Sequence, residues 1–117
     1  MTVTLVTGAN SGLGRATALL LAQKGHKVYA GMRNVEKGAK LLELAESYDL
    51  SAIEIDVADN DSVLSCAEQI KANGDTVDVL VNNAGIALNS VTEDIDIDKA
   101  KEVMEVNVWG PVRCVKA

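Results

Sequence analysis

Four short runs rich in β-branched and aliphatic residues alternate with longer stretches of helical period, and this alternation constrains the fold more than any other feature. The runs are Val3–Thr7, Lys27–Gly31, Ala52–Ile55 and Val77–Val81. Three of them are apolar at consecutive positions, the pattern of strands covered on both faces. Between them, Leu13–Lys24 sets Leu13, Ala16, Thr17, Leu20 and Leu21 on one stripe and stops at Gly25. Glu36–Tyr48 repeats the pattern through Ala39, Leu42 and Ala45, and Asp59–Asn73 carries Val63, Ala67 and Ile70 before Asn73-Gly74 ends it. Strands that alternate with helices in this way give an α/β fold, a parallel sheet with helices on its faces. A long loop runs from Val81 to about Asp98, and the stretch Val103–Ala117 again reads as helix with no terminal stop signal. The acidic cluster Glu93, Asp94, Asp96 and Asp98 reads as solvated loop and as the negative start of that last helix, not as a metal site.

Composition narrows the function classes. A chain of 117 residues, 48% apolar and 24% charged, has the make-up of a soluble domain with a core of its own. The net charge of -6 and the scattered basic residues argue against nucleic acid as a partner. Apolar runs such as Ala18–Ala22 fall far short of the roughly 20 residues of a membrane span. Met1 leads straight into a strand-like segment without a basic leader, so a cytoplasmic location is expected. Cys66 and Cys114 lack the spacing of a metal site or a disulfide framework and are expected to be free thiols.

The strongest local signal is Thr7-Gly8-Ala9-Asn10-Ser11-Gly12-Leu13-Gly14, where the first strand gives way to the first helix. Glycines there permit a sharp turn, let the backbone approach a phosphate without an intervening Cβ, and allow the helix to pack closely on the strand. The free N–H groups and the dipole of the helix start suit a pyrophosphate. The spacing, Gly-x3-Gly-x-Gly, differs from the Gly-x-Gly-x2-Gly of many dinucleotide-binding domains. About 20 residues on, an acidic side chain at the end of the second strand would hold the ribose 2′-hydroxyl of NAD. That position offers Met32 and Arg33 instead, and a guanidinium suits the additional 2′-phosphate of NADP; the plainer reading of Arg33 is a solvated loop cation. Asp56, after the third strand, either accepts a hydrogen bond from an adenine amino group or caps a turn.

Taken together, Thr7-Gly8-x3-Gly12-x-Gly14, Asp56-Val57, Asn82-Asn83-Ala84-Gly85 and Asn107-Val108-Trp109-Gly110-Pro111 resemble the short-chain dehydrogenase/reductase family. The resemblance implies a Rossmann-like doubly wound sheet, here strands one to four and the start of the following helix. It implies a cofactor, NADP with NAD as the alternative, across the carboxyl ends of the strands. Gly8, Asn10, Ser11, Gly12, Leu13 and Gly14 would line its pyrophosphate and ribose side, Arg33 the 2′-phosphate, and Asp56 and Val57 the adenine. Asn82, Ala84 and Gly85 would follow it towards the nicotinamide. Asn107 matches the family's catalytic asparagine, whose main-chain carbonyl holds a water in a proton relay. Independently, the N–H that would bond the Asn107 carbonyl in an α-helix belongs to residue 111, a proline, so a kink and a free carbonyl are expected there. The plainer reading is that Pro111 only bends the helix around the sheet.

The family's tyrosine, lysine four residues later, and serine find no match. Tyr48 is followed at that distance by Ala52, and Tyr29 by Arg33. Tyr29 also lies within the second strand and reads as a packed side chain. The chain therefore reads as the amino-terminal cofactor-binding portion of an oxidoreductase acting on a small alcohol or carbonyl substrate, inactive by itself and a homo-oligomer at full length. The alternative is a stand-alone nucleotide-binding or sensor module. In the strand order 3-2-1-4 the fourth strand would be an apolar edge prone to aggregation, and the last helix would leave Val103, Met104, Val106 and Val108 without neighbours.

Overall fold

A computed structural model describes residues 1–117. Its sheet is built from β1 (Val3–Val6), β2 (Lys27–Met32), β3 (Leu50–Glu54) and β4 (Val79–Val81), all parallel in the order β3-β2-β1-β4. Every residue of β1, and all of β2 after Lys27, is buried. Side chains of a strand alternate between faces, so each central strand feeds two cores. Val3, Leu5, Tyr29 and Ile53 meet Val63, Cys66 and Ile70 of α3 (Asn60–Ala72) on one face. Val6, Val28, Ala30 and Met32 meet Ala18 and Ala22 of α1 (Gly12–Gln23) and Leu41 of α2 (Ala39–Leu44) on the other. This is the parallel sheet with helices on its faces expected from the alternation, in the doubly wound architecture that the resemblance implies.

The boundaries differ from the sequence expectation in ways that hydrogen bonding explains. Val77 packs beside the core outside β4, because Asp78 already exchanges backbone and carboxylate bonds with Val3 (Asp78 N to Val3 O, 2.9 Å; Val3 N to Asp78 Oδ2, 2.8 Å). Strand β3 begins two residues early, where Leu50 pairs with Val28. The expected helix Glu36–Tyr48 divides into a 3-10 turn, Val35–Gly38, and the short α2. Asn34 caps the turn by accepting from Glu36 N, and Gly38 leaves room for Met32, whose Sδ lies 2.7 Å from where a Cβ would stand.

The face of α1 is also rotated from expectation. Gly14, Ala18 and Ala22 are buried, whereas Leu13 is 81% and Leu20 51% exposed. Small side chains let the helix axis lie close to the sheet, and the close approach turns the bulkier leucines outward. In α3, Asp59 caps the first turn through bonds from Asp61 N and Ser62 N, as an N-cap aspartate should. The last helix starts at Ile97, within the acidic cluster expected to begin it, with Asp96 as its cap. It runs as α4 (Ile97–Met104), a π turn (Glu105–Trp109) and α5 (Gly110–Lys116). Pro111 falls in the first turn of α5, the position of a helix that needs no N–H, and the turn before it is widened. No helix is long and apolar enough to cross a membrane.

Candidate functional site

The carboxyl ends of β1, β2 and β3 open into a cleft of about 760 Å³, walled on its far side by α4 and the start of the π turn. Such a crevice, where neighbouring strands send their connections to opposite faces, is where open α/β sheets bind ligands. Its floor is the glycine turn. Gly8 and Gly12 adopt left-handed backbone conformations, φ 65° and 57°, that an L side chain resists. No heavy atom lies within 4 Å of where a Cβ on Gly12 would stand, so that side of the turn is open. The N–H groups of Gly12, Leu13 and Gly14 have no acceptor within the protein, Ser11 caps without its side chain, and no acidic residue occupies the first turn of α1. The helix start thus keeps its donors and its positive dipole end for an anion.

Gly14 has a different task from Gly12. A Cβ there would lie 2.1 Å from the Gly8 carbonyl oxygen and 2.4 Å from Asn83 Nδ2, so Gly14 is turned inward, where helix and turn touch. Asn83 donates from Nδ2 to the carbonyls of Thr7 and Gly8, both at 3.1 Å. The Thr7 hydroxyl in turn accepts from Asn83 N (3.1 Å) and Ala84 N (3.0 Å). The segment after β4 and the glycine turn after β1 are therefore stitched together through side chains, and each holds the other's backbone in place. Sequence reasoning assigned roles to Asn82, Ala84 and Gly85 but none to Asn83 or the Thr7 hydroxyl. The available signal was the placement of both segments at the ends of strands that are neighbours in the order 3-2-1-4.

Of the residues singled out from the sequence, Gly8, Asn10, Ser11, Arg33, Asp56, Val57, Ala84 and Gly85 line the cleft together. Gly12, Leu13, Gly14 and Asn82 are not among the lining residues: Gly12 and Leu13 follow Ser11 and are exposed, Gly14 is buried, and Asn82 is exposed. Arg33 follows β2, is exposed, and has no carboxylate partner in an ion pair. Asp56 does cap a turn, accepting from Ala58 N at 3.0 Å through Oδ1, and Oδ2 takes no bond from the protein. The two readings of Asp56 are thus compatible. Asn107 lies under the loop that follows Gly85. Its Oδ1 accepts from Ile86 N at 2.9 Å and its Nδ2 donates to Ile86 O at 2.7 Å, fixing the loop end of the cleft.

Tyr29 stands apart from the cleft. Its hydroxyl donates to the Asp75 carboxylate and accepts from Asn73 Nδ2, and burial together with that carboxylate pushes its pKa up. Tyr48 is on the surface after α2. Cys66 and Cys114 are free, and no group of acidic, histidine or cysteine side chains has the arrangement of a metal site.

Comparison with known proteins places this geometry. Mouse dehydrogenase/reductase SDR family member 7B is 37% identical over 121 residues, covering 98% of this chain and 38% of that protein. The solved gluconate 5-dehydrogenase of Burkholderia cenocepacia, in complex with NADP and tartrate, superposes with a TM-score of 0.89 at 29% identity, covering 98% of this chain and 46% of its own. The alcohol dehydrogenase of Thermococcus sibiricus, complexed with 5-hydroxy-NADP, gives 0.92 at 31% identity, covering 99% and 51%. The chain spans less than half the length of the curated relatives it matches. Residues 2–117 match the family described as short chain dehydrogenase, and this chain belongs to that family of oxidoreductases.

Proposed function

We propose that this chain is the cofactor-binding portion of a short-chain oxidoreductase that transfers hydride between NADP(H) and an alcohol or carbonyl substrate. The observation that carries the reading is the open, uncapped start of α1 at Gly12, with unbonded donors on one side of the cleft and the unpaired Arg33 and the free Oδ2 of Asp56 on its other walls. The pyrophosphate would lie on the N–H groups of residues 12–14, the 2′-phosphate on Arg33, and the adenine amino group on Asp56. NADP in the gluconate 5-dehydrogenase and 5-hydroxy-NADP in the alcohol dehydrogenase support the choice of cofactor. The nicotinamide supplies hydride chemistry when bound. What these residues do is hold it, and Asn107 fixes the backbone at the end where a substrate would approach.

Neither tyrosine of the chain can serve as the proton donor, because Tyr29 is locked on Asp75 and Tyr48 is remote from the cleft. The donor, its lysine and the substrate site would lie outside these 117 residues, so the chain alone binds without catalysing. In such a protein, working in the cytoplasm, the exposed residues Met104 and Val108 on the last helix would meet a second copy. The rival reading is a nucleotide-binding or sensor module. A coding sequence that continues past Ala117 into Tyr-x3-Lys supports the enzyme, and a stop codon with stable expression supports the module.

Titration of the chain with NADPH and NADH tests the cofactor. Arg33→Ala is expected to weaken NADPH roughly 10- to 100-fold, the value of charge-assisted bonds, and NADH hardly at all. Equal losses, or no saturable binding by folded protein, would sink the reading.

A further inference from the structure

We infer that Arg113, on α5 and outside the cleft, is a positioning residue that sets the preference for a 6-aminopurine at Asp56; this rests on the cofactor reading above. Arg113 donates from Nη1 to the carbonyl of Val57 at 3.1 Å and to the carbonyl of Glu105 at 3.2 Å, and its Nη2 is paired with the Glu105 carboxylate. The Val57 carbonyl belongs to the same peptide unit as the Ala58 N–H. That N–H donates to Asp56 Oδ1 at 3.0 Å. One rigid peptide plane is therefore held at its oxygen by a guanidinium and at its nitrogen by the carboxylate that faces the cleft.

Three features make this a device for orienting Asp56. First, the plane transmits position: if the Val57 carbonyl is released, the Ala58 N–H can tilt and the Asp56 carboxylate loses its fixed partner. Second, the cation polarises the peptide, which strengthens the Ala58 bond to Asp56. Third, the contact is built closely, because a Cβ on Gly110 would stand 2.8 Å from Val57 Cγ2, and only a glycine there lets α5 lie against the loop. Glu105 belongs to the π turn, so that turn presents both its carbonyl and its carboxylate to the same guanidinium. The Val57 N–H has no acceptor in the protein although Val57 is buried at the cleft wall, so two consecutive lining residues offer an unbonded acceptor, Asp56 Oδ2, and an unbonded donor, Val57 N–H. A donor next to an acceptor matches the N1 and 6-amino edge of adenine. Hypoxanthine presents a carbonyl and an N–H there instead.

The test uses the full chain with NADPH and its hypoxanthine analogue. The unaltered chain is expected to prefer NADPH about tenfold or more, as one charge-assisted bond requires. Arg113→Ala should bring that preference below about threefold while the affinity for the analogue changes little, and Arg113→Lys should restore part of it. A merely structural role would weaken both ligands equally and leave the ratio unchanged, which overturns the proposal. Hydrogen exchange at the Ala58 amide in the ligand-free chain separates the two readings. If the unaltered chain binds neither nucleotide, the cofactor reading fails by itself, whereas faster exchange at Ala58 in Arg113→Ala still supports the relay. Unchanged exchange refutes the relay whatever the ligands do, and Glu105→Gln, which removes the anchoring charge without shortening the side chain, provides a second variant with the same expected direction.

Discussion

Gly14→Ala separates the two reasons for which a chain uses glycine. Gly14 has ordinary helical backbone angles, unlike Gly8 and Gly12, so by helix propensity alone an alanine there stabilises by up to about 1 kcal/mol. Its Cβ would stand 2.1 Å from the Gly8 oxygen and 2.4 Å from Asn83 Nδ2. The turn must retreat by roughly 1 Å to reach ordinary contact, and forced core adjustments of that kind cost about 1–3 kcal/mol. Moving Asn83 also loosens its two bonds to Thr7 and Gly8, each worth about 1 kcal/mol. After the propensity gain is subtracted, the expected loss is about 2–4 kcal/mol, a large part of the roughly 5–15 kcal/mol that holds a domain together. Urea denaturation followed by circular dichroism measures it as a fall in midpoint at constant slope. Gly12→Ala is the internal control. It carries the left-handed penalty of about 1–2 kcal/mol but meets no atom within 4 Å. Backbone angles alone rank Gly12→Ala as the more damaging change, and close packing ranks Gly14→Ala first. A stabilised Gly14→Ala, or one less damaging than Gly12→Ala, refutes the packing argument.

Two further outcomes follow from charge and burial. The Lys27 ammonium, 2.7 Å away, and the Tyr29 hydroxyl hold the Asp75 carboxyl below its ordinary pKa. A depressed carboxylate stabilises the fold above its unfolded value near about 4 and loses that contribution as pH falls through the lower folded value. Lys27, raised mainly by its bond to Asp75, contributes fully below its ordinary 10.5 and loses its share as pH rises through the higher folded value. Asp75→Asn is therefore expected to flatten both limbs of a plot of urea midpoint against pH, and limbs as steep as in the unaltered chain would contradict the assignment. Burial pushes the Cys66 thiol up to about 11, so its labelling by a disulfide reagent at pH 8 should run about two orders of magnitude slower than for a free thiol and recover in urea, while Cys114, half-buried and raised by the same cause, should also be slowed. Rapid labelling of Cys66 in the folded chain would show that the α3 face is open.

What was legible in the sequence is what local chemistry writes there. Buried parallel strands announce themselves by closely spaced apolar residues, as in Val3, Leu5 and Val6 of β1 and Val28, Tyr29 and Ala30 of β2, and both strands are buried on both faces. The cleft follows from topology once the strand order is known, and Gly8, Ser11, Arg33, Asp56 and Ala84, which the family resemblance groups together, all line it. The face of α1 departs from the sequence expectation for a physical reason. Periodicity weighted by hydrophobicity rewards leucine, but a helix lying close on a sheet buries its smallest residues, so Gly14, Ala18 and Ala22 face inward and Leu13 faces out. Asn83, Thr7 and Arg113 were illegible for a related reason: each acts through bonds to backbone more than 50 residues away, as the Asn83–Gly8 and Arg113–Val57 pairs illustrate with separations of 75 and 56. Periodicity carries no trace of such a bond. Proline at position 111 was the exception, since its missing N–H reaches four residues back along the same helix. Even there the response could not be foretold from spacing, because a helix can meet a missing donor by kinking or by widening. Here it widens, and the widened turn places Glu105 where it can anchor the guanidinium that reaches the wall of the cleft.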